Sequence, residues 1–186
     1  EVPPVYGILR SAQTWNPFII NFKHLWQLIK DAWHARRFMD KLIIWFKPTG
    51  WRPTDVEEKY PLQIINNPYK QEKYRTDNSP LLLIWSWMQL TLGLFLMFHF
   101  FIIMENFTTK MVYLYVIFLM LHIFSYTATL DGRKYALFTE SLKLGIGVVL
   151  LYLQGFNWYG SGGNIAMGLL LYLLLSLFLS YYFLRE

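Results

Sequence analysis

Cysteine is missing from all 186 residues. That excludes disulfides, zinc–thiolate sites, iron–sulfur clusters and a cysteine nucleophile within the chain. Charge is scarce as well: 16% of residues are Asp, Glu, Lys or Arg, against 55% hydrophobic and 19% aromatic. This balance is more apolar than that of an ordinary soluble domain. Paired metal ligands are lacking. Among His24, His34, His99 and His122 no two stand three or four apart, the spacing that puts two ligands on one helix face. No G-x-S-x-G elbow and no glycine loop followed by Lys and Ser/Thr occurs. Gly160-Ser161-Gly162-Gly163 has no flanking strand or lysine and reads as a flexible turn. The start, Glu1-Val2-Pro3-Pro4, lacks the charged and apolar regions of a signal peptide and reads as a cut end.

What is present divides near Pro80. Residues 1–80 hold 12 of the 17 Lys+Arg and 8 of the 12 Asp+Glu, which is +4 of the formal +5. Beyond that point apolar runs reach the roughly 20 residues that a bilayer crossing needs. They cover about 81–104, 111–130, 135–154 and 165–184. The expected fold is therefore all-α and multi-pass, with four transmembrane helices in residues 81–186 joined by short connections. The third run is the least regular, because it carries Glu140 and Lys143. Asn106-Phe107-Thr108 forms a glycosylation sequon in a loop short enough to keep it against the membrane.

Lys and Arg in the flanks predict orientation. Lys70, Lys73 and Arg75 precede the first span, Arg133 and Lys134 lie in the second turn, and Arg185 ends the chain. Lys110 stands alone on the other side. Both termini are thus expected in the cytoplasm, of a bacterial inner membrane or of the endoplasmic reticulum.

Residues 1–80 read as a cytoplasmic, interfacial segment. Asn16-Pro17 is a helix start, with Asn as cap and Pro at the first helical position. Phe18, Phe22, Leu25, Ile29 and Trp33 then repeat at helical spacing, with Lys23, Lys30 and Arg37 mostly on other faces. A second short helix, about Phe38 to Phe46, is also apolar, and Lys47 to Pro53 breaks helicity. Trp26, Trp33, Trp45 and Trp51 are the candidate interfacial anchors. Packing against membrane lipid and packing against a partner domain fit these stripes equally well.

Two chemical features merit placement. His99 and His122 fall inside spans, where a neutral imidazole bonded to a neighbouring helix is the expected role. Glu140 and Lys143 stand three apart and can meet on one helix face. Ionisable groups at this depth are functional candidates, since an isolated charge there costs about 2.5–3.5 kcal/mol or more. The favoured reading is structural: the pair locks its helix to a neighbour near the cytoplasmic side. Two turns from Arg133, roughly 10 Å, either group is within reach of the headgroups. Basic residues interleaved with acids, beside a long apolar half, argue against nucleic acid as a partner.

Specific residues resemble a family. Val5-Tyr6-Gly7-Ile8, Asn16-Pro17, Phe22-Lys23-His24-Leu25 and Thr49-Gly50-Trp51-Arg52-Pro53 are similar to the region after the catalytic domain in the sterol desaturase/fatty acid hydroxylase superfamily. The likeness is to its alkylglycerol monooxygenase-like members. Leu130-Asp131-Gly132-Arg133-Lys134 and the helix around Glu140 continue it. The resemblance implies the C-terminal membrane region of a lipid hydroxylase or monooxygenase that holds two non-haem irons on clustered histidines. Those clusters are absent here, so the irons are expected in a catalytic domain outside this chain, and no cofactor on it. The competing hypothesis is a noncatalytic membrane subunit that binds a partner protein or lipid. A small transporter is a third, resting on Glu140 and Lys143 alone.

Overall fold

The structure, a computed structural model, describes residues 11–62, 65, 67 and 73–185. Val5-Tyr6-Gly7-Ile8 and the flanking Lys70 lie outside the described residues. The chain divides into two compact units, with the boundary in sequence between Arg75 and Thr76. All regular structure among the described residues is helical.

The first unit begins with α1, Pro17–His34. Asn16 caps it, its side chain accepting from the backbone N–H of Phe18 at 3.0 Å and of Ile19 at 3.3 Å. These are the orphan donors that an N-cap exists to satisfy. Short helices α2, Phe38–Ile43, and α3, Thr54–Lys59, follow. A buried ion pair ties the connecting loop to α1. Arg52 Nε donates to Asp31 Oδ2 at 2.7 Å and Nη2 to Oδ1 at 2.8 Å, and Gln27 Nε2 donates to Oδ1 at 2.8 Å. The fork geometry fits both carboxylate oxygens at once. Asp55 Oδ2 accepts from the Arg36 N–H at 2.9 Å, pinning the start of α3 to the end of α1.

In the second unit four helices are long and apolar enough to cross a membrane: α4 (Pro80–Ile103), α5 (Thr109–Leu130), α6 (Ala136–Leu153) and α7 (Gly163–Phe183). A 3-10 turn, Met104–Asn106, ends α4. Their edges fall within two residues of those expected from the apolar runs. This is an integral, multi-pass membrane protein. Each helix packs on its neighbour in sequence, and α5 also meets α7. The apolar windows of α4 and α7 are only 28% buried, so most of their side chains face outward, as lipid solvation requires.

The connection from α6 to α7 departs from the flexible turn expected there. Trp158 and Tyr159 are 1% and 2% exposed. Tyr159 donates its hydroxyl to Met111 O at 2.8 Å and its N–H to Gln154 Oε1 at 2.8 Å. To fold these rings inward, Phe156 and Tyr159 take positive φ values of 56° and 44°, a region that side chains rarely adopt. The glycines relieve the turn around an aromatic plug rather than loosening it.

Candidate functional site

Small and polar residues recur at helical spacing on the inner faces of the spans. On α4 these are Trp85 and Gln89; on α5, His122, Ser125 and Thr129; on α6, Glu140 and Lys143; on α7, Tyr172, Ser176 and Ser180. Steps of three or four keep each set on one face, and all except the partly buried Tyr172 are buried. In hydrocarbon such groups bond across helices.

Their hub is Ser176. Its hydroxyl accepts from Lys143 Nζ at 2.9 Å and lies 2.8 Å from Glu140 Oε2 and 3.1 Å from Gln89 Oε1. Lys143 Nζ also meets Glu140 Oε2 at 2.7 Å, and both side chains are 0% exposed. Tyr172 Oη stands 3.0 Å from Gln89 Oε1 and 3.3 Å from His122 Nδ1. The other ring nitrogen of His122 is 2.9 Å from the Gln89 carbonyl oxygen, to which it donates. Lys143 Nζ further sits 5.5 Å from the Tyr172 ring centre, in cation–π range. One network thus joins α4, α5, α6 and α7. Nearer the α5–α6 turn, Thr129 Oγ1 and Ser180 Oγ are 3.3 Å apart.

Glu140 and Lys143 therefore point into the bundle and not toward headgroups. His99 lies in a separate group, with Nδ1 3.0 Å from Tyr115 Oη and Nε2 2.6 Å from Ser161 Oγ. Trp158 Nε1 donates to the same Tyr115 oxygen at 3.3 Å. This aromatic half lies at the opposite end of the bundle. In the first unit, Trp26, Trp33 and Trp45 are 60%, 80% and 45% exposed. Trp51 is half-buried, its backbone N–H bonded to Pro48 O at 3.1 Å and its ring 5.7 Å from Lys47 Nζ. Outside the spans, burial pushes the Tyr159 phenol up to about 12. The hydrogen bond to Asp31 holds Arg52 above the usual guanidinium value.

Gln89, Ser176 and Tyr172 were not singled out from the sequence. The signal was there in α7, where Tyr172, Ser176 and Ser180 recur every fourth residue of a leucine-rich helix. Among the described residues no three His, Cys, Asp or Glu side chains converge as metal ligands. The residues described thus do not fit a two-iron centre.

Compared with known proteins, the chain is 27% identical to human (Homo sapiens) alkylglycerol monooxygenase over 139 residues. The match takes in 75% of this chain and 31% of that enzyme. The relationship is distant. The chain spans about a third of the length of the curated relative it matches. No family model matches, and no solved structure matches.

Proposed function

We propose that this chain is the membrane-embedded region of a lipid-modifying oxygenase akin to alkylglycerol monooxygenase, within the sterol desaturase/fatty acid hydroxylase superfamily. The 139-residue likeness to that enzyme carries the reading. Four apolar helices support it, since a lipid-modifying protein must meet its substrate in the bilayer. The helices anchor, and the first unit braces a catalytic domain against the cytoplasmic leaflet. Its exposed Trp26, Trp33 and Trp45 suit headgroup depth, and its excess of Lys and Arg suits anionic lipid. Oxygen chemistry belongs to two irons on histidine clusters outside these 186 residues, and no step of it is assigned to a residue here.

Intact mass and metal content of the native protein test this together. A mass well above 22.3 kDa with stoichiometric iron is expected. A mass equal to this sequence without iron overturns it and leaves a noncatalytic membrane subunit. Orientation is tested by single cysteines, since the chain has none of its own. Cysteine at Lys134 should be shielded from an impermeant maleimide in sealed vesicles of native orientation, and cysteine at Lys110 labelled.

A further inference from the structure

The polar network is not closed by its own members. Among the described residues, four buried side-chain atoms have no hydrogen-bond partner: Trp85 Nε1, Gln89 Nε2, Ser125 Oγ and Glu140 Oε1. Unpaired buried polar atoms are rare in native proteins and each one calls for a cause. In the bilayer no solvent at the helix surface relieves them.

They belong to one neighbourhood. Gln89 and Glu140 both reach Ser176 through their bonded oxygens, at 3.1 and 2.8 Å, so their unbonded ends are the remaining arms of the same hub. Trp85 is one turn before Gln89 on α4, and its ring stacks 5.9 Å from Tyr172, which bonds Gln89. Ser125 is one turn after His122, whose Nε2 is bonded to the Gln89 backbone.

The chemistry of the four is mixed. Trp85 Nε1 and Gln89 Nε2 are donors, Glu140 Oε1 as a carboxylate is an acceptor, and Ser125 Oγ is either. Exchanging the amide ends of Gln89 does not remove the deficit. Nε2 would then face Ser176 and Tyr172, and Oε1 would be left alone. A metal cation would satisfy the acceptor but oppose the donors and Lys143, and an anion would oppose Glu140. With Gln89 Nε2 as the free end, a hydroxyl accepts from Trp85 Nε1 and Gln89 Nε2 and donates to Glu140 Oε1, and water has a second donor for Ser125 Oγ.

We propose that Trp85, Gln89, Ser125 and Glu140 form a binding site for a hydroxyl group held inside the bundle beside Ser176. Water supplies that group, or the hydroxyl of an amphiphile threaded between the helices. The site makes no appeal to the oxygenase reading and stands if that reading fails.

X-ray hydroxyl-radical labelling of the purified full chain, with mass spectrometric readout, tests it. Trp85 and Trp158 are comparably buried, at 5% and 1% exposed. With bound water, Trp85 is labelled several-fold faster than Trp158. With an amphiphile, Trp85 stays unlabelled, and solvent extraction releases about one hydroxyl-bearing lipid per chain; the Gln89→Leu variant loses it. Slow labelling of both tryptophans with no extractable hydroxyl-bearing lipid overturns the proposal. Ser125→Ala gives an independent reading. A liganded hydroxyl predicts a melting temperature lower by about 2–4 °C; an unchanged or raised value contradicts the site, because deleting a truly orphaned hydroxyl stabilises.

Discussion

Replacing Lys143 by Met tests whether the ion pair stabilises the bundle or burdens it. The ammonium meets Glu140 Oε2 at 2.7 Å, both side chains are 0% exposed, and Glu140 Oε1 has no partner among the described residues. Lys143→Met leaves the carboxyl with Ser176 alone, and Glu140→Gln leaves the ammonium with Ser176 and the face of Tyr172. Breaking a buried pair from one side costs about 3–5 kcal/mol, whereas replacing both partners is often neutral. For a chain of this size each kcal/mol moves the melting temperature by about 2–4 °C. Each single variant should therefore melt about 6–20 °C lower in detergent, and the double variant Glu140→Gln/Lys143→Met close to the parent. The coupling in this cycle, the double minus the two singles, is then about 6–10 kcal/mol, beyond the roughly 0.5–3 kcal/mol usual for residues in contact. Near-ultraviolet circular dichroism follows the loss of aromatic packing. Additive effects, with the double variant as unstable as the two singles combined, would refute mutual neutralisation.

Other outcomes are expected from single sites. Gly147→Val should destabilise by about 1–3 kcal/mol, because a Cβ there runs into Leu173 and comes within 3.3 Å of Phe118; Gly145→Ala, with nothing within 4 Å, should melt no lower than the parent. Arg52→Lys loses the fork on Asp31 and should speed proteolysis within residues 11–62, with Arg36→Lys as the silent control. The phenol of Tyr159 is raised to about 12 by burial. The unfolded chain releases this proton near its ordinary value of about 10, so stability holds below that and falls as pH climbs from 10 toward 12. Melts across this range should show a shallower alkaline decline for Tyr159→Phe. In single-tryptophan variants, shallow brominated lipid should quench Trp33, which is 80% exposed, and leave Trp158 bright. Equal quenching of the two would remove the surface-anchor assignment of Trp33.

Much of this was legible from residue order, for physical reasons that differ by element. Asn16-Pro17 announced α1 because capping is local chemistry, decided within three residues. The spans were legible because a bilayer demands length and apolarity, and both can be counted. Helix rotation cannot be counted that way. In α7 the side chains are so uniformly apolar that only Tyr172, Ser176 and Ser180 mark the inward face, and in α4 the mark is Trp85 and Gln89. The spacing of Glu140 and Lys143 allowed their contact but left open whether they turn to headgroups or to Ser176. The α6–α7 connection was misread for a different reason. Four glycines and a serine within Gly155–Gly163 suggest looseness, yet Trp158 and Tyr159 supply enough apolar area to draw the turn inward against unfavourable φ values.

The bundle is polar in one half and aromatic in the other, and that asymmetry limits what it does. Gln89 lies early in α4 and Glu140 early in α6, while His122, Thr129, Ser176 and Ser180 lie late in α5 and α7. In an antiparallel arrangement these stations share the end that carries the Asp131–Tyr135 turn. The other end is filled by Tyr115, Phe118, Leu150, Trp158 and Tyr159, buried together in one cluster. A transport route needs polar stations through both halves, and in the aromatic half the described ones, His99, Tyr115 and Ser161, form a separate group bonded among themselves. Glu140 and Lys143, on which the transporter hypothesis rested, belong to the inward-facing network around Ser176. A hydroxyl bound beside Ser176 would exchange through the end with the Asp131–Tyr135 turn, past Thr129 and Ser180. Enlarging the passage with Thr129→Ala should then quicken radical labelling of Trp85, whereas enlarging the far end with Phe118→Ala should not. The reverse result would place the entrance at the aromatic end.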